Sequence, residues 1–384
     1  MAGVRRAVRR GGRGRPVRHR LGPAHPRRGP RPCEAVMDFS LFYFSDEGGA
    51  ADGYELLLSG ARFADTHGFT AVWTPERHFH PFGGRYPNPA VTGAALAAVT
   101  SRVKIRAGSV VAPLHHPARV AEEWSVVDNL SGGRVGVSFA SGWNATDFAL
   151  RPEHYADRRA HTVRTLQQVR SLWRGDALET VDGNGKSCTL EIYPRPVQPE
   201  LPVWLTSAGG VETFRAAGRA GAGVLTHLLG QEPAELAEKI AAYRAEASAV
   251  GWPGHVVLML HAFLGADDDE VREQVRAPLS RYLRSSLGLL LGSGLDGKRR
   301  VDIAALSEED IDFIVSRSFD RYYDNGGLLG TVDKLEPAVA AFRALGVDEL
   351  ACLVDFGLPT RTVLDALSYL DDLRARTALA AATR

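Results

Sequence analysis

From Met37 onward the chain repeats one unit, a short apolar run followed by a segment of helical periodicity, and this repetition limits the folds open to it. DFSLFYF reads as a strand; Tyr54, Leu57, Leu58, Ala61 and Ala64 then recur at helical spacing until His67-Gly68 closes the helix. FTAVWT, VKIRAGSVVA and RVGVSFA repeat the strand signal, each followed by a helix. Asn88-Pro89 supplies a cap and a first-turn proline for the second helix, and Ser131-Gly132-Gly133 ends the third. Val163, Leu166, Val169 and Trp173 mark the fourth. The alternation resumes through PVWLT, AGVLTH, HVVLMLHAFL and DELACLV, the last preceded by a helix through Leu335, Val339, Phe342 and Leu345. Strands that alternate with helices are joined by crossovers and run parallel. About eight such strands favour closure into an α/β, TIM-type (β/α)8 barrel over an open doubly wound sheet. Two stretches break the rhythm: 177–199, with hairpin character, and 284–330, rich in Gly and Leu and then acidic. Both read as loop insertions and as candidate lids over an active site.

Composition divides the chain at the same point. Residues 1–36 hold eleven arginines and one glutamate, a charge of +10, with almost no large apolar side chains. Such a segment cannot bury enough surface to offset its ordering entropy and is expected to be disordered. A basic arm and an Arg-rich targeting peptide are two readings of it; a true start at Met37 is the favoured third. Residues 37–384, the barrel, carry −9 and show no electrostatic footprint for nucleic acid. No apolar run is long enough to suggest a membrane span. Cys33, Cys188 and Cys352 lie far apart, without disulfide-framework or zinc spacing, which fits a reducing cytoplasm. Cys352, within ACLVDF, reads as a small buried hydrophobe.

Four segments could carry chemistry. In PVWLTSAGGVETF a strand ends at Thr206, and Ser207, Ala208, Gly209 and Gly210 turn into a helix. Small residues there let backbone N–H groups approach a phosphate, with hydroxyls from Ser207 and Thr213, and the position late in the barrel suits the phosphate site usual for this architecture. An ordinary βα turn has the same appearance. Neither GxGxxG nor a Walker sequence occurs, so dinucleotide or ATP binding has no support. In WTPERHFHPFGG, Glu76, Arg77, His78 and His80 crowd a strand end beside Phe79 and Phe82, a setting for a planar anionic cofactor or a reactive oxygen, or simply a solvated loop. In GSVVAPLHHP, Gly108-Ser109 could let the backbone pass under a flat ring; His115 and His116 are adjacent, share no face and have no carboxylate spaced to join them, so no metal site is expected. In SGWNATDF and the residues after it, Trp143 and Tyr155 could pack on a ring system and Asn144 could bond its edge, or they could be core aromatics.

Taken in order, WTPERHF, GSVVAPLHHPARVAEEWSVVDNLSGGRVGVSFASGW, LTSAGG after the fifth strand, and GTVDKLEPAVAAFRALGVDELACLVDFG resemble the bacterial luciferase-like flavin monooxygenases over essentially residues 37–375. The nearest resemblance is to their atypical branch associated with polyketide and nonribosomal-peptide assembly lines. It implies a luciferase-like barrel and reduced FMN supplied by a separate flavin reductase. It further implies a C4a-hydroperoxide formed with O2 and insertion of one oxygen into a substrate, a small molecule or one tethered to a carrier protein acting in trans. A homodimer through the helices after strands one to three is also implied. Ser207, Ala208, Gly209 and Gly210 would take the phosphate, Ser109 would sit against the isoalloxazine, and Ser141, Asn144 and Tyr155 would line the flavin. Glu76, Arg77 and His78 fall on the family's catalytic loop. Two departures stand out: Arg77 occupies the position of a histidine in true luciferases, and Ala140 that of their reactive cysteine. Light emission is therefore not expected, and Arg77 suits binding an anion or polarising a peroxide. A flavin hydroperoxide decays to H2O2 in water, so the pocket must close.

Two other functions fit the same residues. An F420-dependent hydride-transfer enzyme would want additional Lys or Arg near the phosphate turn, where only Arg215 and Arg219 lie close by. A non-catalytic flavin-binding component of an assembly line is the third, since a fold does not dictate a function.

Overall fold

The computed structural model describes residues 36–45, 53–207, 209–287 and 306–382. The Arg-rich segment lies outside them, apart from Val36. Asp38–Phe42 (β1), Ala71–Thr74 (β2), Lys104–Val111 (β3) and Val135–Ala140 (β4) pair in parallel in that order. Val203–Thr206 (β7), Gly223–His227 (β8) and Val256–Leu264 (β9) continue the sheet. Glu349–Leu353 (β11) pairs with both β9 and β1 and closes an eight-stranded parallel barrel. Leu178–Val181 (β5) and Ser187–Leu190 (β6) form a separate antiparallel hairpin, and Leu328–Gly330 (β10) extends the upper edge of β9.

Local signals place the first helices. Glu55–Thr66 (α1) follows β1. Pro89–Val99 (α2) starts where the Asn88 side chain accepts from the N–H groups of Ala90 and Val91. Pro117–Ser131 (α3) starts with Pro117 in its first turn, where His116 Nδ1 accepts from the Ala118 N–H, and stops at Gly132, whose φ of 67° is left-handed. Arg158–Arg174 (α4), Val211–Arg219 (α5), Pro233–Ala249 (α6) and Asp268–Ser285 (α7) follow β4, β7, β8 and β9. Glu308–Arg321 (α8), opened by a capping box at Ser307 and Asp310, leads through a π-turn to β10. Val332–Ala344 (α9) precedes β11, and Thr360–Ala382 (α10) follows it.

The barrel interior is polar near the N-terminal ends of its strands. Glu349 accepts from Ser40 Oγ at 2.6 Å, Trp73 Nε1 at 3.0 Å and Arg106 Nη1 at 2.7 Å. The Arg106 guanidinium lies between Trp73 and Trp204, 4.8 and 4.6 Å from their rings. Burial would raise the Glu349 carboxyl, but Arg106 and then His255 outweigh it and hold the group at about 2. Among the described residues this end also holds the one grouping with metal-ligand spacing, Asp38, His255 and Glu349. Glu349 there is committed to Arg106, and His255 Nδ1 accepts from Trp204 Nε1 at 2.9 Å.

The two insertions have different fates. The 177–199 hairpin is not a lid. It joins a helix end to the next strand start, and such connections lie at the N-terminal face of a parallel barrel. Its contacts agree: Trp173 Nε1 donates to Gln198 O, and Gln198 Nε2 donates to Asp128 and to Val135 O at the start of β4. The 284–330 stretch belongs to the opposite face: Tyr282, near the end of α7, packs on Phe82 of the β2 loop, and β10 pairs with the last residues of β9. Its residues 288–305 lie outside the described residues; the remainder supplies α8, the π-turn and β10. The expected buried setting of Cys352 is found.

Candidate active site

The loops after β2, β3, β4 and β7 gather nearly every sequence-selected residue at the C-terminal face. Glu76 is buried, and both its oxygens are taken. Oε1 accepts from His78 Nε2 at 2.8 Å and His115 Nε2 at 2.6 Å, and Oε2 from the Val111 N–H at 2.7 Å. Burial raises its carboxyl, but the His115 and His78 hydrogen bonds prevail and hold it below the ordinary range. An ionised Glu76 only accepts, so both histidines carry hydrogen on Nε2. Glu76 thus orients two imidazoles and has little capacity left to move a proton itself.

Arg77 is only 4% exposed. Its guanidinium carbon lies 4.7 Å from the Trp143 ring, 5.4 Å from Phe44 and 5.7 Å from Phe82. Nη2 donates to Phe82 O over a long 3.4 Å, and Nε and Nη1 have no hydrogen-bond partner among the described residues. Asp355, after β11, braces the box by accepting from the Phe44 N–H at 2.6 Å, the Ser45 N–H at 2.9 Å and Tyr86 Oη at 3.3 Å.

Below the box, Thr206 Oγ1 bonds Ser138 Oγ at 2.6 Å and also bonds Ser109 Oγ. A register shift between Gly108 and Val110 takes Ser109 out of the β-ladder toward β7. Three hydroxyls sharing two bonds leave one O–H to donate elsewhere. Gly108 is required by the core, because a Cβ there would meet Phe42 at 2.6 Å and Trp73 at 3.2 Å.

Ser207 is buried and its N–H donates to Leu225 O at 3.0 Å; Ala208 lies outside the described residues. Gly209 leads to Gly210, the extended N-cap of α5, which makes no side-chain cap bond. Within the first turn the Thr213 N–H donates back to Gly210 O at 3.1 Å, and the Val211 and Glu212 N–H groups ahead of it are the donors that fit a phosphate. This turn follows the fifth barrel strand, not the seventh or eighth, so its supposed match to the usual phosphate position of such barrels is corrected. Arg219 pairs with Glu212 at 2.5 Å and Glu246 at 3.2 Å, and Arg215 lies 3.7 Å from Glu212.

After β4, Ser141 is half-buried. Asn144 accepts from the Thr146 N–H and donates to Asp147 Oδ1 at 2.8 Å, so much of its amide is committed. Tyr155 stands edge-on to Phe148 at 4.9 Å, with Arg158 over its ring.

Ser138 and His261, inside strands that look like core, and Thr206, the half-buried last residue of β7, carry no signal of their own in the sequence. His261 is fully buried, and neither ring nitrogen has a partner among the described residues. Tyr282, Tyr322 and Phe356 stand edge-on around it at 4.3, 5.2 and 5.3 Å. Burial, and then His227, push its pKa down to about 3, so the ring is neutral. An unsatisfied buried polar group costs roughly 1–3 kcal/mol. His261→Leu is accordingly expected to raise stability by about that much, read as a higher urea midpoint at unchanged slope. A lower midpoint would mean that the ring nitrogens are satisfied after all, for example by ordered water.

A parallel barrel with polar and aromatic side chains gathered at its C-terminal face has the form of a barrel enzyme, and sequence comparison identifies the family. Residues 37–349 match the family model for luciferase-like monooxygenases, and the chain belongs to that family. It is 26% identical to the oxygenase component of the flavin-dependent trigonelline monooxygenase of Acinetobacter baylyi, over 84% of this chain and 90% of that one. The monooxygenase RslO1 from Streptomyces bottropensis shares the fold with a TM-score of 0.71 and 25% identity, covering 88% of this chain and 98% of its own. An F420-dependent glucose-6-phosphate dehydrogenase of Amycolatopsis mediterranei is 33% identical over 44% of this chain and 52% of that protein.

Proposed function

We propose that this chain is the oxygenase of a two-component system, taking reduced FMN from a separate reductase and using O2 to oxygenate an organic substrate. The observation that carries this reading is the phosphate turn: α5 opens without a side-chain cap, and the arginines beside it are already neutralised by Glu212 and Glu246. One terminal phosphate suits such a helix end. The longer acidic tail of F420 would call for more uncommitted cations. Bound reduced FMN would supply the oxygen-activating chemistry, through a C4a-hydroperoxide.

The chain's own part is to position and to exclude water. The Ser109–Thr206–Ser138 hydroxyls offer one donor to the edge of a ring held above them. Glu76 fixes His78 and His115 at the mouth. Phe44, Phe82 and Tyr282 form a dry wall behind Arg77, so its charge acts in a low-dielectric setting.

Anaerobic titration of the full chain with FMN, reduced FMN and F420, followed by fluorescence, tests the reading. Reduced FMN should be the tightest ligand, about tenfold or more ahead of F420, a gap of about 1.4 kcal/mol. F420 binding tighter than reduced FMN would make this a hydride-transfer enzyme instead.

A further inference from the structure

Arg77 is a buried cation with two guanidinium nitrogens that have no hydrogen-bond partner among the described residues. No carboxylate lies within ion-pair distance of it among the described residues, and its single hydrogen bond is long. Burying a charge without a partner is costly, so a fold that keeps one must have it satisfied in the working state. The loop is shaped to hold this side chain. Gly83 adopts φ +80°, and a Cβ there would meet Arg77 Cγ at 2.8 Å, so the arginine stem lies where any other residue would intrude. Asp147 tempers the charge from beyond ion-pair distance, and its Oδ1 already accepts from Asn144.

The surroundings define what the anion is attached to. Phe44, Phe82 and Trp143 cover Arg77, and Trp143 is 46% exposed, placing it at the solvent side of the box. The same aromatic cluster runs on through Tyr282 to His261, whose unpartnered ring nitrogens give it a second polar point. We propose that the substrate is an organic carboxylate with a flat, unsaturated body. Its carboxylate lies on the guanidinium edge of Arg77 and its body packs against Phe44, Phe82 and Trp143. A carboxylate matches the planar fork of a single guanidinium. The phosphate of the proposed cofactor is assigned to the α5 N-terminus, on a different loop from Arg77. The proposal rests on the flavin-monooxygenase reading for the identity of the reaction, but not for the binding of the acid.

Calorimetry on the full chain, with 2-naphthoate and the isosteric neutral 2-naphthamide as probes, tests it without turnover. The acid should bind at least about tenfold tighter than the amide. In Arg77→Met the gap should close to about twofold or less, while Arg77→Lys should keep part of it. Methionine can occupy the same aromatic box and removes an unpaired charge, so the variant should melt no lower than the parent. Equal affinity for acid and amide, a gap that survives Arg77→Met, or no response to the acid up to about 10 mM each overturns the proposal. A parallel titration with reduced FMN separates the two readings. If Arg77→Met weakens reduced FMN as much as it weakens the acid, Arg77 serves the cofactor and the proposal falls. If the parent binds no reduced FMN yet keeps the acid–amide gap, the flavin reading fails and the carboxylate site stands.

Discussion

Glu349→Ala is expected to destabilise the barrel by about 3–5 kcal/mol, the loss typical of breaking a buried ion pair. The alanine would strand the Arg106 guanidinium between two tryptophans and remove the acceptor of Trp73 Nε1 and Ser40 Oγ. The same network sets a pH dependence. Glu349 is held at about 2 in the folded chain against an ordinary 4.5. A depressed carboxyl contributes stability that is fully present above the unfolded value and is lost as pH falls from there through the folded one. The window therefore runs from about pH 4.5 down to about 2, and the contribution is about 3 kcal/mol. Urea unfolding at several pH values should show the parent losing this increment on acidification and Glu349→Ala lacking it. A double change of Arg106 and Glu349 to methionine should recover most of the loss, because it removes both charges together. If Glu349→Ala unfolds within about 1 kcal/mol of the parent, Arg106 has found water or another acceptor and the account of the core is wrong.

Ser207→Asp should weaken reduced FMN roughly a hundredfold. A new carboxylate about 5 Å from a phosphate costs about 3 kcal/mol at an effective dielectric near 20, which is about two decades in affinity. Ser207 is buried, so the new carboxylate carries a desolvation cost that the α5 N-terminus offsets only in part, and the urea midpoint of the variant is measured beside its affinity. Ser207→Ala removes only a hydroxyl and should cost about 1 kcal/mol, under about tenfold. The contrast between the two variants is the measurement. Near-parental binding by Ser207→Asp would place the phosphate away from this turn.

Much of the architecture could be read before any coordinates. The cap at Asn88, the stop at Gly132 and the strand at Val203 are local signals, set by a few neighbouring residues, and each falls where the pattern predicts. The candidate residues of the β2 loop, the β4 loop and the phosphate turn were also legible, because they interrupt apolar strands with polar or small side chains. Ser138, Thr206 and His261 were not. Ser138 and His261 are buried within their strands and Thr206 ends a mostly buried one, and an isolated serine, threonine or histidine there looks like a tolerated polar core residue. The hairpin misled for a related reason: composition marks an insertion but not which end of the barrel it decorates.

The sequence by itself determined the alternation of strands and helices, their polarity and the small-residue turn before α5, because these depend on periodicity and short-range backbone chemistry. Only the tertiary structure decided that Glu76 is consumed by His78, His115 and Val111, that Glu349 reaches Arg106 across the barrel, and that Arg77 lies enclosed by aromatic rings with donors to spare. Those outcomes depend on barrel closure, which brings residues from distant strands within hydrogen-bonding distance and removes the water that would otherwise have satisfied them.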